Sequence, residues 1–134
     1  MFLLGGSQPF GFFTLSNKIL FEPVSSSSPP PSSLEGSSAV VYDEGIYLFG
    51  GMVNKKPTNN FNVYSINNPY IIQIKIKENN VWTTIECEEC PSPRQYHSAC
   101  VIGHSMYVYG GESSEGNLND LWQFNFSKIE KKEK

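Results

Sequence analysis

The sequence predicts an all-β chain assembled from repeated, four-stranded antiparallel units. Three observations lead there. A block of residues recurs at a fixed spacing, the apolar runs are four to eight residues long with strand-like alternation, and a helical period is missing. Residues 91–111 can be written under residues 31–51 at an offset of 60 without a gap, and 8 of the 21 positions are identical. The identities are Pro31/Pro91, Ser32/Ser92, Ser38/Ser98, Ala39/Ala99, Val41/Val101, Tyr47/Tyr107, Gly50/Gly110 and Gly51/Gly111. The composition agrees: 13% of the 134 residues are aromatic and only 17% charged, which suits sheets.

A third copy of the block's ending opens the chain, where Phe2-Leu3-Leu4-Gly5-Gly6 matches Tyr47-Leu48-Phe49-Gly50-Gly51 at an offset of 45. Residues 12–15 and 19–21 are weaker strand candidates, with Asn17-Lys18 as their turn. A Ser/Pro-rich stretch follows and has the composition of a flexible or polyproline-like connector. In the middle copy, residues 38–41 and 46–49 flank the turn Asp43-Glu44-Gly45 and read as a hairpin. Residues 52–69, with Asn59-Asn60 and Asn67-Asn68, read as a long polar loop. Residues 70–77 alternate Ile72, Ile74 and Ile76 against Gln73, Lys75 and Lys77, which predicts the third strand. Glu78-Asn79-Asn80 would turn the chain into a fourth strand over 81–85. In the last copy, residues 98–102 and 106–109 flank Gly103-His104-Ser105, and 121–126 supply a third strand. The expected organisation is an incomplete first unit over 1–23, a linker over 24–36, a complete unit over 37–86, a third unit lacking its last strand over 87–127, and a charged tail over 128–134.

The paired glycines, with Pro93-Arg94-Gln95-Tyr96-His97-Ser98-Ala99, Tyr107-Val108-Tyr109-Gly110-Gly111 and Asn119-Asp120-Leu121-Trp122, resemble the kelch repeat, the blade of kelch-type β-propellers. The middle copy keeps Ser38-Ala39, Gly50-Gly51 and Trp82 but has Leu34 and Ser37 where Arg94 and His97 stand in the last. The resemblance implies a partial propeller of two to three blades, with Gly5, Gly6, Gly50, Gly51, Gly110, Gly111, Trp82, Trp122 and His97 as structural residues. Propellers of this type close with roughly five to seven blades. The chain is therefore expected either to be part of a longer ring or to complete itself by association, because repeat units need neighbours to cover their faces.

Charge and motifs exclude several functions. The balance of 10 basic against 13 acidic residues, net −3, argues against nucleic acid. No apolar run is long enough for a membrane helix, and no secretory leader is evident. Three cysteines, an odd number, suit reduced thiols and a cytoplasmic setting. Phosphate-loop, nucleophile-elbow and zinc-protease motifs are missing, and no cofactor is expected. Cys87-Glu88-Glu89-Cys90, with His97 or Cys100, offers zinc ligands. The plainer reading is a pair of loop thiols, since a structural zinc site wants four ligands.

The leading functional expectation is a protein-interaction module, with loops on a propeller face as the contact surface. Its candidate contact residues are Arg94, Tyr96, Glu88, Glu89, Asn59, Asn60, Glu112 and Glu115. For Arg94 two readings stand side by side: recognition of an acidic partner, and an internal salt bridge with a local acid such as Glu88 or Glu89. The alternatives are a fragment of a kelch-fold enzyme (a copper oxidase with a galactose oxidase-like central domain, or a sugar mutarotase) and a truncated propeller without independent function.

Overall fold

The computed structural model describes residues 23–32, 35–66 and 80–128. These residues are all-β apart from one turn of 3-10 helix. Strands β1 (Ser38–Tyr42) and β2 (Gly45–Phe49) form the first hairpin. Their two-residue turn holds Asp43 at φ 42° and Glu44 at φ 60°, the left-handed pair that matches the twist of flanking strands. After Gly50-Gly51 comes a small ribbon, β3 (Met52–Val53) with β4 (Lys56–Pro57), followed by β5 (Phe61–Ser65) and β6 (Val81–Thr84). The first sheet runs in the order β1-β2-β5-β6. The second is β7 (Ser98–Ile102), β8 (Ser105–Ser113) and β9 (Gly116–Asn125), in that order, and closes on the 3-10 turn Phe126–Lys128.

The third strand of the first sheet departs from the sequence reading. It is Phe61–Ser65, inside the stretch read as loop. The Ile72/Ile74/Ile76 stripe lies outside the described residues, as do Gly5, Gly6 and the other strand candidates of residues 2–21. β5 earns its place by burial: Phe61, Val63, Tyr64 and Ser65 are all shielded from solvent.

The two sheets repeat one another in register. Phe49 pairs with Phe61 and Gly45 with Ser65 in the first; Tyr109 pairs with Leu121 and Ser105 with Asn125 in the second, each 60 positions on. The diglycines repeat too. A β-carbon on Gly51 would meet Glu35 O and Ser37 N at 3.0 and 3.1 Å, and one on Gly111 would meet Gln95 O and His97 N at 2.7 and 3.0 Å. Positions 35 and 37 become 95 and 97 at the same offset, so both pairs let an incoming backbone pass where any side chain would block it.

The core lies between the sheets. Residues paired across strands share a face, and one face of the first sheet presents Val40, Tyr47, Phe49, Phe61, Val63 and Val81. These pack with Met106, Val108 and Phe126 of the second unit as one buried cluster. Each such side chain, fully buried, contributes about 1.5–3 kcal/mol. Phe126 stacks on Tyr42 with ring centres 3.9 Å apart and planes within 3°, and Tyr42 Oη meets His104 Nδ1 at 2.8 Å.

Candidate functional site

One end of the two sheets gathers most of the motif residues. Here β2 and β8 run into their diglycines, and the segment linking the sheets crosses between them. Gly51 N donates to Arg94 O (2.8 Å), Arg94 N to Thr58 O (2.9 Å), and Tyr96 N to Gly36 O (2.7 Å). Gln95 and Glu112 exchange backbone hydrogen bonds at 2.9 Å in both directions. The linking segment is thus stitched to both neighbouring loops.

Arg94 is fully buried, and all five of its N–H groups have acceptors. Nη1 and Nη2 reach Asp120 Oδ1 and Oδ2 at 2.7 and 2.8 Å. Nη1 also donates to Gly110 O, Nη2 to Ser92 Oγ, and Nε to Ser92 O. Of the two readings of Arg94, the geometry therefore favours the internal ion pair. Its acid is Asp120, 26 residues on, which the sequence argument did not single out. A bidentate fork of this kind is among the stronger charge-assisted pairings. The guanidinium holds the Asp120 carboxyl well below the usual carboxylate range. At the offset of 60, Leu34 and Asn60 stand in place of Arg94 and Asp120, so charge is absent from both positions together. That paired change was the available signal.

Trp122 is more open than strand packing predicts, at 36% exposed. Its indole N–H donates to Asp120 Oδ2 at 2.6 Å. With Phe49, Phe61, Cys87, Glu89 and Phe124 it lines an open hollow of about 380 Å³, counting the solvent at its mouth. Trp82 lies on β6 with its ring 5.0 Å from Tyr64.

His97 is buried and its Nε2 lies 2.7 Å from Ser38 Oγ, joining the segment just before β7 to β1. Burial lowers its pKa, and the charge on Arg94 lowers it further. Ser38 Oγ stands beside the ring, but among the described residues no acid pairs with Nδ1 to orient the imidazole as a base. Cys87 is half-buried, and its thiol is pushed up to about 12 by burial and by a hydrogen bond with Cys90. Among the described residues no group of three or more His, Cys, Asp or Glu converges as a metal site, so Cys87 and Cys90 are not joined there by His97 or Cys100. Nor is any described helix long and apolar enough to cross a membrane.

What the sheet end shows to solvent is Tyr96. It is 60% exposed and held at φ 54°. Its hydroxyl points at Glu35 Oε1, 3.4 Å away. Exposed Glu112 flanks it through the Gln95 pairing, and Thr58, next to exposed Asn59 and Asn60, bridges to Arg94. Glu115 sits in the tight connection between β8 and β9. Glu88 and Glu89 lie apart from this group, in the bend after β6, with Glu89 on the hollow.

Comparison with known proteins agrees with the fold. Residues 13–133 match the family model described as the KLHDC2/KLHL20/DRC7 Kelch-repeats domain. Among curated proteins, the chain is 30% identical over 120 residues to leucine-zipper-like transcriptional regulator 1 homolog of Drosophila melanogaster, covering 85% of this chain and 11% of that one. It is 26% identical over 147 residues to tip elongation aberrant protein 3 of Schizosaccharomyces pombe, covering 96% and 13% respectively. To human host cell factor 2 it is 34% identical over 109 residues, covering 71% and 14%. The chain thus spans between about a tenth and a seventh of the length of these relatives.

Proposed function

Because the chain belongs to the kelch-repeat family, we propose that it is a protein-interaction module whose partner docks on the sheet end carrying Tyr96. The observation that supports this is the placement of Tyr96. A bulky residue in the left-handed region costs of order 1–3 kcal/mol, and such strain persists only where surrounding structure imposes it. Here the bond from Tyr96 N to Gly36 O and the pairing of Gln95 with Glu112 impose it, and the outcome is a solvent-facing aromatic ring. Exposed tyrosines make strong anchors because they bring large area at small entropy cost. Glu35, Glu112 and Glu115 around it favour a partner segment with basic side chains beside an apolar one. Arg94 supports the platform from within and makes no contact of its own with the partner.

The test compares proteins captured from lysate by the immobilised chain with those captured by Tyr96→Ala and by the double reversal Glu35→Lys with Glu112→Lys. The expected result is a defined partner lost with Tyr96→Ala and made salt-insensitive or lost with the reversal. Undiminished capture by both variants overturns the assignment.

A second observation supports association with further units of the same kind. The face of the first sheet buried by the second has its counterpart in Cys100, Tyr107, Tyr109, Leu121 and Gln123 of the second. There Tyr109 and Leu121 are 57% and 65% exposed. A head-to-tail contact of this type repeats until it closes. Sedimentation of the chain should show concentration-dependent association that Leu121→Lys removes; a monomer at every concentration overturns this reading.

A further inference from the structure

The serine run before the first sheet is not a free connector. It lies along the outer edge of β6, the last strand of its sheet, and bonds to it mainly through side chains. Ser28 Oγ accepts from Trp82 N at 2.6 Å and faces Trp82 O at 3.3 Å, so one hydroxyl serves both main-chain groups of a strand residue 54 positions away. Ser26 Oγ donates to Asn80 O at 2.9 Å, Ser27 N donates to the same oxygen at 3.0 Å, and Tyr64 Oη donates to Ser25 O at 3.4 Å. Ser28 N in turn bonds Ser26 Oγ at 3.3 Å, which fixes the two hydroxyls relative to each other. The next residues are Pro29, Pro30 and Pro31, which have no N–H and cannot extend the pairing. The run therefore behaves as a hydroxyl strap that covers, at Trp82, an edge with which no other described strand pairs.

We propose that Ser28 is a phosphorylation site and that its modification releases this strap and bares the edge of β6. The strap is thin: Ser25, Ser27, Pro29 and Pro30 are exposed, and Ser28 itself is half-buried. Ser28 directly precedes a proline, which holds it in the extended form that a proline-directed kinase accepts. In the transfer, Ser28 Oγ attacks the γ-phosphorus of a nucleoside triphosphate held by the kinase. The Oγ–P bond forms, the bond from phosphorus to the bridging oxygen breaks, the diphosphate leaves, and the hydroxyl proton passes to the kinase's base. The ester oxygen then has no hydrogen to give Trp82 O. A group of charge about −2 would stand against that carbonyl, which repels it.

The experiment treats the full chain with a proline-directed protein kinase and ATP, maps the phosphate by mass spectrometry, and follows the Trp82 amide by hydrogen exchange. Near-ultraviolet circular dichroism checks that the sheets persist. The expected result is phosphate on Ser28 with Trp82 exchange about tenfold faster, the size of one net hydrogen bond. Ser28→Ala should show the same acceleration without treatment and take no phosphate there, while Ser28→Thr should keep protection and be modified like the parent. Phosphate confined to other residues overturns the proposal, and so does a modified Ser28 with Trp82 protection unchanged or increased.

Discussion

The carbonyl oxygen of Arg94 lies so close to Gly50 that a β-carbon on that glycine would stand 2.6 Å from it. The same β-carbon would be 2.7 Å from Cε1 of His97, and Gly50 has φ 67°. The contact therefore joins the end of β2 to the segment leading into β7. Gly50→Ala should lose about 2–4 kcal/mol, from left-handed strain plus displacement of a hydrogen-bonded backbone. Gly103→Ala is the control: φ is 59° there, but nothing lies within 4 Å of the added carbon, so strain alone should cost about 1 kcal/mol. Urea unfolding of both variants checks this. Equal losses would mean that the approach between units does not constrain position 50.

Removing the carboxylate of Asp120 strands a charge. Arg94 has no solvent exposure, and its partner is 39% exposed. Breaking a buried pair from one side costs about 3–5 kcal/mol. Asp120→Ala should fall at the low end, because Gly110 O and the Ser92 oxygens still receive the guanidinium and water reaches the vacated side. Asp120→Asn, which keeps one acceptor, should cost less. Because the carboxyl is depressed in the folded chain, its stabilisation is present above the unfolded value near 4 and is lost as pH falls below it. Acid unfolding of Asp120→Asn should accordingly be flatter below pH 4 than that of the parent.

How much of this was legible in the sequence depends on the range of the interaction. The hairpins β1–β2 and β7–β8 were readable because alternation and turn residues are local. β5 was not, since Asn59-Asn60 and Asn67-Asn68 mark loop and the Ile72/Ile74/Ile76 stripe is a stronger period-two signal than Phe61-Asn62-Val63-Tyr64-Ser65. Continuing the offset of 60 past the glycines would have found it, because Phe61 then falls on Leu121 and Ser65 on Asn125. The Arg94–Asp120 pair and the Ser28–Trp82 contact join residues 26 and 54 positions apart. Composition and short motifs carry no distance information at that range. By composition alone the serine run therefore reads as a linker.

The identity of the third strand has its own test. Phe61 is 3% exposed and meets the rings of Tyr47, Phe49 and Phe124, the last 4.8 Å away in the second sheet. Phe61→Ala should cost about 3–5 kcal/mol in urea unfolding, as large-to-small changes in packed cores do. A change under about 1 kcal/mol, the size of a surface effect, would remove β5 from the core.

His97 sets a pH dependence near neutrality. Its folded pKa lies below the ordinary 6.5 through burial and the Arg94 charge. Above 6.5 the ring is neutral in both folded and unfolded chains. As pH falls through 6.5 the unfolded chain takes up a proton that the folded one resists, so stability declines until pH reaches the lower folded value and then levels. Melting temperature should drop on going from pH 7 to pH 5. His97→Gln, which keeps a polar group near Ser38 Oγ without titrating, should lose that part of the slope. A parent and variant with parallel pH profiles would show that His97 is not the titrating group.

The thiols should separate by reactivity. Only the thiolate attacks an alkylating reagent. Cys87 is half-buried against the core, and its pKa is pushed up to about 12 by burial and the hydrogen bond with Cys90, whereas Cys100 is exposed on the outer face of β7. At pH 8 iodoacetamide should therefore label Cys100 first and Cys87 last, read by mass spectrometry of timed samples. Adding Cys90→Ser tests the cause: the substituted hydroxyl can still donate a hydrogen bond but forms no thiolate of its own, so Cys87 should react faster while staying slower than Cys100. Early labelling of Cys87 in the parent chain would mean that the bend after β6 opens more readily than its packing against the core implies.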